Sequence, residues 1–142
     1  MTMYTRTEEG ELRMWVPRRS AQLKSYPGML DRTVAGGARV EESPFVCIIH
    51  EADEEASLPE DLIRKNARAC GVLTYVAKSG LGNRCEQCLM GSDIIYVYDL
   101  KVVEDVVPKP RDEEVKEFYT LLSRSKVVLA ADQIVTGAVP WA

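Results

Sequence analysis

The spacing of apolar and polar positions changes several times along the chain, and each change marks an element. Residues 12–16 alternate apolar and polar side chains ahead of Pro17, the period of a strand with one buried face, and the basic pair Arg18 and Arg19 follows as a turn. Tyr26-Pro27-Gly28 punctuates the next loop, and residues 29–34 read as a second short strand ending in Ala35-Gly36-Gly37. From Pro44 the period lengthens. Phe45, Ile48, Ile49, Ala52 and Ala56 recur at helical spacing and predict a helix over residues 44–56, with Ser43 as N-cap and Pro44 at the first helical position, where a missing N–H costs little. Ser57-Leu58-Pro59 closes this helix, and residues 60–68 predict a short second one. Residues 71–76 and 94–103 are rich in the Val, Ile, Leu, Thr and Tyr that suit strands. A loop containing Gly and Cys, residues 78–92, lies between them. Pro108 and Pro110 mark residues 106–112 as a linker, and residues 115–121 predict a final strand. The pattern assigns no element to residues 1–10, and no internal repeat or low-complexity tract interrupts it.

Length and charge narrow the function classes. A chain of 142 residues has room for one domain with a substantial core, so a single domain over residues 1–142 is expected. A net charge of −4 offers no broad basic surface for a nucleic-acid backbone, although a local basic stretch still suits a phosphorylated small molecule. No segment approaches the roughly 20 apolar residues of a membrane helix. Residues 1–10 carry Glu8 and Glu9 without an apolar run, unlike a signal or transit peptide, so a cytoplasmic location is expected. Cys47, Cys70, Cys85 and Cys88 are accordingly expected as reduced thiols. Cys85 and Cys88 form a CxxC, but a structural zinc site normally needs a second, suitably spaced pair, and only Cys47 and Cys70 remain.

Chemistry concentrates between Gly36 and Leu58, GGARVEESPFVCIIHEADEEASL. Glu51, Glu54 and Glu55 stand at i, i+3 and i+4, positions that share one helix face. Bringing like charges together is unfavourable, and a bound divalent cation would remove the penalty. Hard cations such as Mg²⁺ prefer oxygen ligands, retain water and bridge to phosphates, which suits a carboxylate cluster beside a Gly-rich bend to a diphosphate. Glu42, just before the N-cap, is placed to close the cluster or to hold its backbone.

The same segment resembles the Nudix box, Gx5Ex7REUxEExGU with U apolar. Gly36 matches the first glycine, Glu42 the next fixed position, and Glu51, Ala52, Glu54, Glu55 and Leu58 match further on. MWVPRRS, YPGMLDRTVAGG, EEASLPEDLIRKNA, IYVYDL and VVPKPRDEEVKEFY extend the resemblance towards the branch of fungal and plant thiamine-pyrophosphokinase-associated Nudix proteins. The resemblance implies an α/β fold, the Nudix α/β/α sandwich on a mixed sheet. It implies Mg²⁺-dependent hydrolysis, with Mn²⁺ an alternative metal, of thiamine diphosphate or its oxidised analogues, or of an oxidised nucleoside diphosphate such as 8-oxo-dGDP. The products are a monophosphate and phosphate.

Carried over by position, the metal role falls on the Gly36 carbonyl and on Glu51, Glu54 and Glu55. The water-activating base is either Glu54 or Glu114, the latter because Nudix enzymes often place another acid there. Arg18 and Arg19 are candidate phosphate ligands, since guanidinium forks suit phosphate oxygens. Trp15, Tyr26 and Tyr75 are candidates for stacking on a flat heterocycle.

Three departures support a rival reading. His50 stands where the box has Arg and Ser57 where it has Gly, while residues 121–142 do not resemble the family's closing helices, so the sandwich is expected to be incomplete there. The alternative is a catalytically impaired remnant that binds a phosphorylated ligand. Isoprenyl-diphosphate isomerisation, whose relatives share similar WVPRRS and YPG runs, normally uses several histidine ligands, and a lone His50 argues against it.

Overall fold

The computed structural model describes residues 1–78 and 90–122. The chain forms β1 (Thr2–Arg6), β2 (Leu12–Arg19), α1 (Pro44–Ala56), α2 (Glu60–Asn66), β3 (Ala67–Lys78), β4 (Met90–Lys101) and β5 (Val115–Leu122). The strands make one five-stranded sheet in the order β3-β4-β1-β2-β5. Only the β1–β4 pair is parallel, so the sheet is mixed and the class is the expected α/β.

α1 starts where its chemistry dictates. Ser43 is extended and its side chain accepts from the Val46 amide, while Pro44 sits in the first turn. Ile48, Ile49, Ala52 and Ala56 are buried along one face and meet Met3 of β1, Leu100 of β4 and Ile63 of α2 in a single core. Burying an Ile or Leu side chain is worth about 1.5–3 kcal/mol, so this stripe is the main force that holds α1 to the sheet.

The helix ends at Ser57, which takes the left-handed conformation with φ 53°. The Ser57 amide bonds Asp53 O at 3.1 Å and the Leu58 amide bonds Ala52 O at 3.0 Å, satisfying carbonyls of the last turn. This geometry explains why the Nudix pattern favours glycine here: a Cβ is unfavourable at positive φ.

Several expectations need correction. β1 occupies residues to which the pattern assigned nothing, yet it is a central strand: it pairs with β4 on one side and β2 on the other, and Met3 is fully buried. β2 does not stop at Pro17 but continues through Arg18 and Arg19, paired with β5, so the expected basic turn is strand. Residues 29–34 form no strand beyond one bridge, Arg18 to Leu30. Their hydrogen bonds change partner part-way. Asp31 N and Thr33 Oγ1 donate to Pro17 O and Trp15 O of β2, whereas Val34 N donates to Met1 O and Thr33 Oγ1 accepts from Met3 N. The segment wedges between the diverging ends of β1 and β2 instead of extending either ladder.

α2 ends two residues early because Ala67 already begins β3. β3 and β4 are longer than expected, and β3 carries an irregularity between Ala69 and Gly71. Residues 106–112 are irregular, as expected. The CxxC and the atypical segment from residue 123 onward lie outside the described residues.

Candidate active site

The glycine bend and α1 meet face to face. A Cβ on Gly36 would collide with the carboxyl end of Glu51, so that carboxylate lies directly over the glycine backbone. One residue earlier, Ala35 N donates to Glu55 Oε2 at 3.0 Å. α1 is thus fastened to the bend at two successive residues, through two of the three clustered glutamates.

The helix does not present those glutamates equally. Glu55 is only 8% exposed, Glu51 is half-buried and Glu54 is exposed, so the shared face read from spacing divides into an inward pair and an outward member. Burial pushes the Glu55 carboxyl up to about 8 against the opposing pull of the Ala35 hydrogen bond, and Glu51, Asp112 and Glu114 add to the rise. Glu51 is also raised, first by burial and then by Glu54 and Glu114, while Arg39 lowers it. Five carboxylates, Glu51, Glu54, Glu55, Asp112 and Glu114, therefore act on one another around the end of α1, and they supply hard oxygen donors of the kind Mg²⁺ takes. Among the described residues, no three His, Cys, Asp or Glu side chains already converge as a metal-holding group. The fit to Mg²⁺ is one of donor chemistry and proximity, for an ion that commonly takes one or two carboxylates and completes its shell with water and phosphate.

Glu114 enters from the loop just before β5. Ser20 N donates to its carbonyl at 2.8 Å, tying it to the end of β2, and Asp112 Oδ1 accepts its amide at 3.0 Å. Arg111 pairs with Asp53 of α1, and Lys109 N donates to Ala56 O at 2.9 Å, so the linker is fixed against the end of the helix. A small cavity lies between Glu55 and Glu114, walled by Pro17, Arg19, Asp31 and Arg32. Asp112, which sequence reasoning left unassigned, acts on both Glu51 and Glu55. Its only signal was acidity in a linker.

His50 does not point to the cluster. Its Nδ1 lies 2.7 Å from Glu42 Oε1, so the residue in the arginine position of the box holds the glutamate before the N-cap.

A cleft of about 650 Å³ opens beside the bend, within the usual range for small-molecule sites. Gly36, Gly37, Arg19 and Arg32 line it, as do Trp15, Tyr26, Tyr75, Tyr96 and Tyr98. Tyr75 OH donates to Asp93 Oδ2 at 2.6 Å across the β3–β4 pair. Trp15 is half-buried against the core, and its Nε1 is buried without a partner among the described residues. Arg18 does not line the cleft: it donates to Gly28 O at 2.8 Å and to Tyr119 OH at 3.3 Å, with its guanidinium over the Tyr119 ring. Arg19 lines it but is already engaged, donating to Ser25 O and to Asp31 Oδ2.

No known family profile matches the chain. Individual relatives do. Over 113 residues it is 36% identical to an uncharacterized protein of Saccharomyces cerevisiae, covering 76% of this chain and 33% of the yeast protein. Over 110 residues it is 34% identical to Nudix hydrolase 20, chloroplastic, of Arabidopsis thaliana, covering 78% of this chain and 27% of that protein. Over about three quarters of its length the chain is similar to Nudix hydrolases.

The fold agrees with that of solved Nudix structures, an α/β/α sandwich. A Nudix hydrolase from M. smegmatis superposes with a TM-score of 0.59 at 15% identity, over 99% of this chain and 85% of that one. An Ap4A hydrolase of C. elegans does so with a TM-score of 0.57 at 14% identity, over 95% of this chain and 82% of that one. The chain spans about a third or less of the length of the curated relatives quoted above. Among the described residues, no helix is long and apolar enough to cross a membrane.

Proposed function

We propose that this Nudix domain, a single domain over residues 1–142, hydrolyses a phosphoanhydride in a small organic diphosphate in the cytoplasm, with Mg²⁺ or Mn²⁺ as cofactor. One observation carries the reading: Glu51 over Gly36 and Glu55 on Ala35 N gather acidic oxygens behind the bend that lines an aromatic-walled cleft. When bound there, the metal supplies neutralisation of phosphate charge and a lowered pKa for water. Glu51 and Glu55, with the Gly36 carbonyl and outlying Glu54, are the ligands the chain offers.

Glu114 is the base. It faces Glu55 across the small cavity, whereas Glu54 is exposed on the outer side of α1. Its carboxylate takes a proton from the attacking water, and Asp112 holds its backbone in place. Trp15, Tyr26 and Tyr75 provide aromatic surface for a flat heterocycle. That surface, together with the resemblance to the thiamine-pyrophosphokinase-associated branch, supports thiamine diphosphate or its oxidised analogues as substrate, or an oxidised nucleoside diphosphate. The relatives' names support diphosphate chemistry at the level of the superfamily.

The test is incubation of purified protein with thiamine diphosphate, its oxidised forms and nucleoside diphosphates, with and without Mg²⁺. Metal-dependent release of phosphate is expected. Folded protein that turns over none of them, or does so without metal, overturns the reading.

A second reading, a binding protein derived from a Nudix enzyme, is favoured by His50, which stands in the arginine position of the box and pairs with Glu42. Binding without turnover, unaltered by Glu55→Gln, is its signature in titration calorimetry.

A further inference from the structure

The geometry points to Arg32 as the residue that receives the phosphate group of the ligand, oriented by Asp31 and braced by Arg19. This assignment rests on the diphosphate reading above and goes beyond it by naming which cation meets the anion and how it is held.

Three guanidiniums stand near the bend, and their partners separate their roles. Arg18 is committed to Gly28 O and to Tyr119 and lies off the cleft. Arg19 gives Nε and Nη2 to Ser25 O, at 3.3 and 3.2 Å, and Nη1 to Asp31 Oδ2 at 3.0 Å, so each of its nitrogens already has an acceptor. Arg32 donates only Nε, to Asp31 Oδ1 at 3.4 Å. Its two Nη groups have no hydrogen-bond partner among the described residues.

Those free donors belong to a residue that borders both cavities. Arg32 lines both the small cavity beside Glu55 and Glu114 and the large cleft beside Gly36. A fork of two N–H groups matches two oxygens of one phosphate, and a charge-assisted pair of this kind is roughly twice as strong as neutral hydrogen bonds. Asp31 makes the fork directional. One of its oxygens is held by Arg19 and the other accepts from Nε of Arg32, so Asp31 restrains the guanidinium before a ligand arrives. A positioned donor loses less freedom on binding than a mobile one.

Charge supports the same assignment. A diphosphate approaching Glu51, Glu55 and Glu114 meets repulsion, and Arg19 and Arg32 with Asp31 form a group of net charge +1 on the side of the cleft next to the bend. The residue binds phosphate through its own donors, independently of metal.

Methylenediphosphonate, which is not hydrolysed at its bridge, is the probe. Titration calorimetry on the full chain, without metal and with Mg²⁺, is expected to show binding weakened about tenfold or more by Arg32→Gln in both conditions. Arg32→Lys keeps charge without the fork and is expected to recover only part of the loss. Asp31→Asn, which acts through Arg32, is expected to weaken binding several-fold while leaving the melting temperature nearly unchanged.

Binding by Arg32→Gln within twofold of wild type overturns the assignment, whatever the turnover. Full recovery by Arg32→Lys also overturns it, because charge alone would then suffice. Loss of binding in Arg32→Gln from a wild-type protein that hydrolyses nothing upholds Arg32 and removes the hydrolase reading instead.

Discussion

The Glu51 carboxyl occupies the space that a side chain on Gly36 would fill. Helix and bend are thereby in direct contact, and the glycine is required by its neighbour rather than by its own backbone, since its φ is not in the left-handed region.

Gly36→Ala is therefore expected to fold, because the clash falls on the far end of a flexible side chain. Displacing Glu51 should nevertheless cost activity, and a shift of about 1 Å in a catalytic constellation can lower turnover by roughly 10²-fold. Turnover together with the Mg²⁺-induced rise in melting temperature checks this. Unchanged values for both would sink the placement of Glu51.

The raised Glu55 carboxyl makes the metal-free protein pH-sensitive. With a folded value of about 8 against an ordinary 4.5, the unfolded chain gives up its proton first as pH rises. Stability is then highest below pH 4.5 as far as this group is concerned, and falls between about 4.5 and about 8. Glu55→Gln is expected to flatten the decline and to raise the melting temperature at pH 8 by several degrees without metal. Mg²⁺ should shrink the same decline in the wild type. Denaturation curves across that range provide the comparison.

Ser57 holds φ 53° at the end of α1, where glycine would sit without strain. Ser57→Gly should stabilise the protein by about 0.5–1 kcal/mol, read from the urea midpoint at constant m-value. A loss of stability would mean that the Ser57 side chain contributes more than its conformation costs.

Glu114→Gln should lower kcat by roughly 10²-fold or more with little change in KM, the pattern of a lost base. Glu54→Gln should do less, since that side chain points outward. The reverse ranking in steady-state kinetics would move the role of base to Glu54.

Local chemistry determined much of this protein. Ser43, Pro44 and the stripe from Phe45 to Ala56 define α1 because capping and helical periodicity act within a few residues. The spacing of Glu51, Glu54 and Glu55 carried the resemblance to the Nudix box for the same reason, and β5 was legible from its composition. What the spacing did not contain was which glutamate is buried. The buried one meets the Ala35 amide, twenty residues away, and its pKa is raised further by Asp112 and Glu114 from the loop before β5.

Only the tertiary structure made β1 a strand and residues 29–34 a wedge, because strand pairing joins residues distant in sequence. It also separated Arg18, Arg19 and Arg32. In sequence all three are basic residues around a loop; folded, one stacks on Tyr119, one braces Ser25 and Asp31, and one lines the cleft with its Nη groups unpartnered among the described residues. Charge is a property of the residue, but the acceptors that occupy it come from elsewhere in the chain.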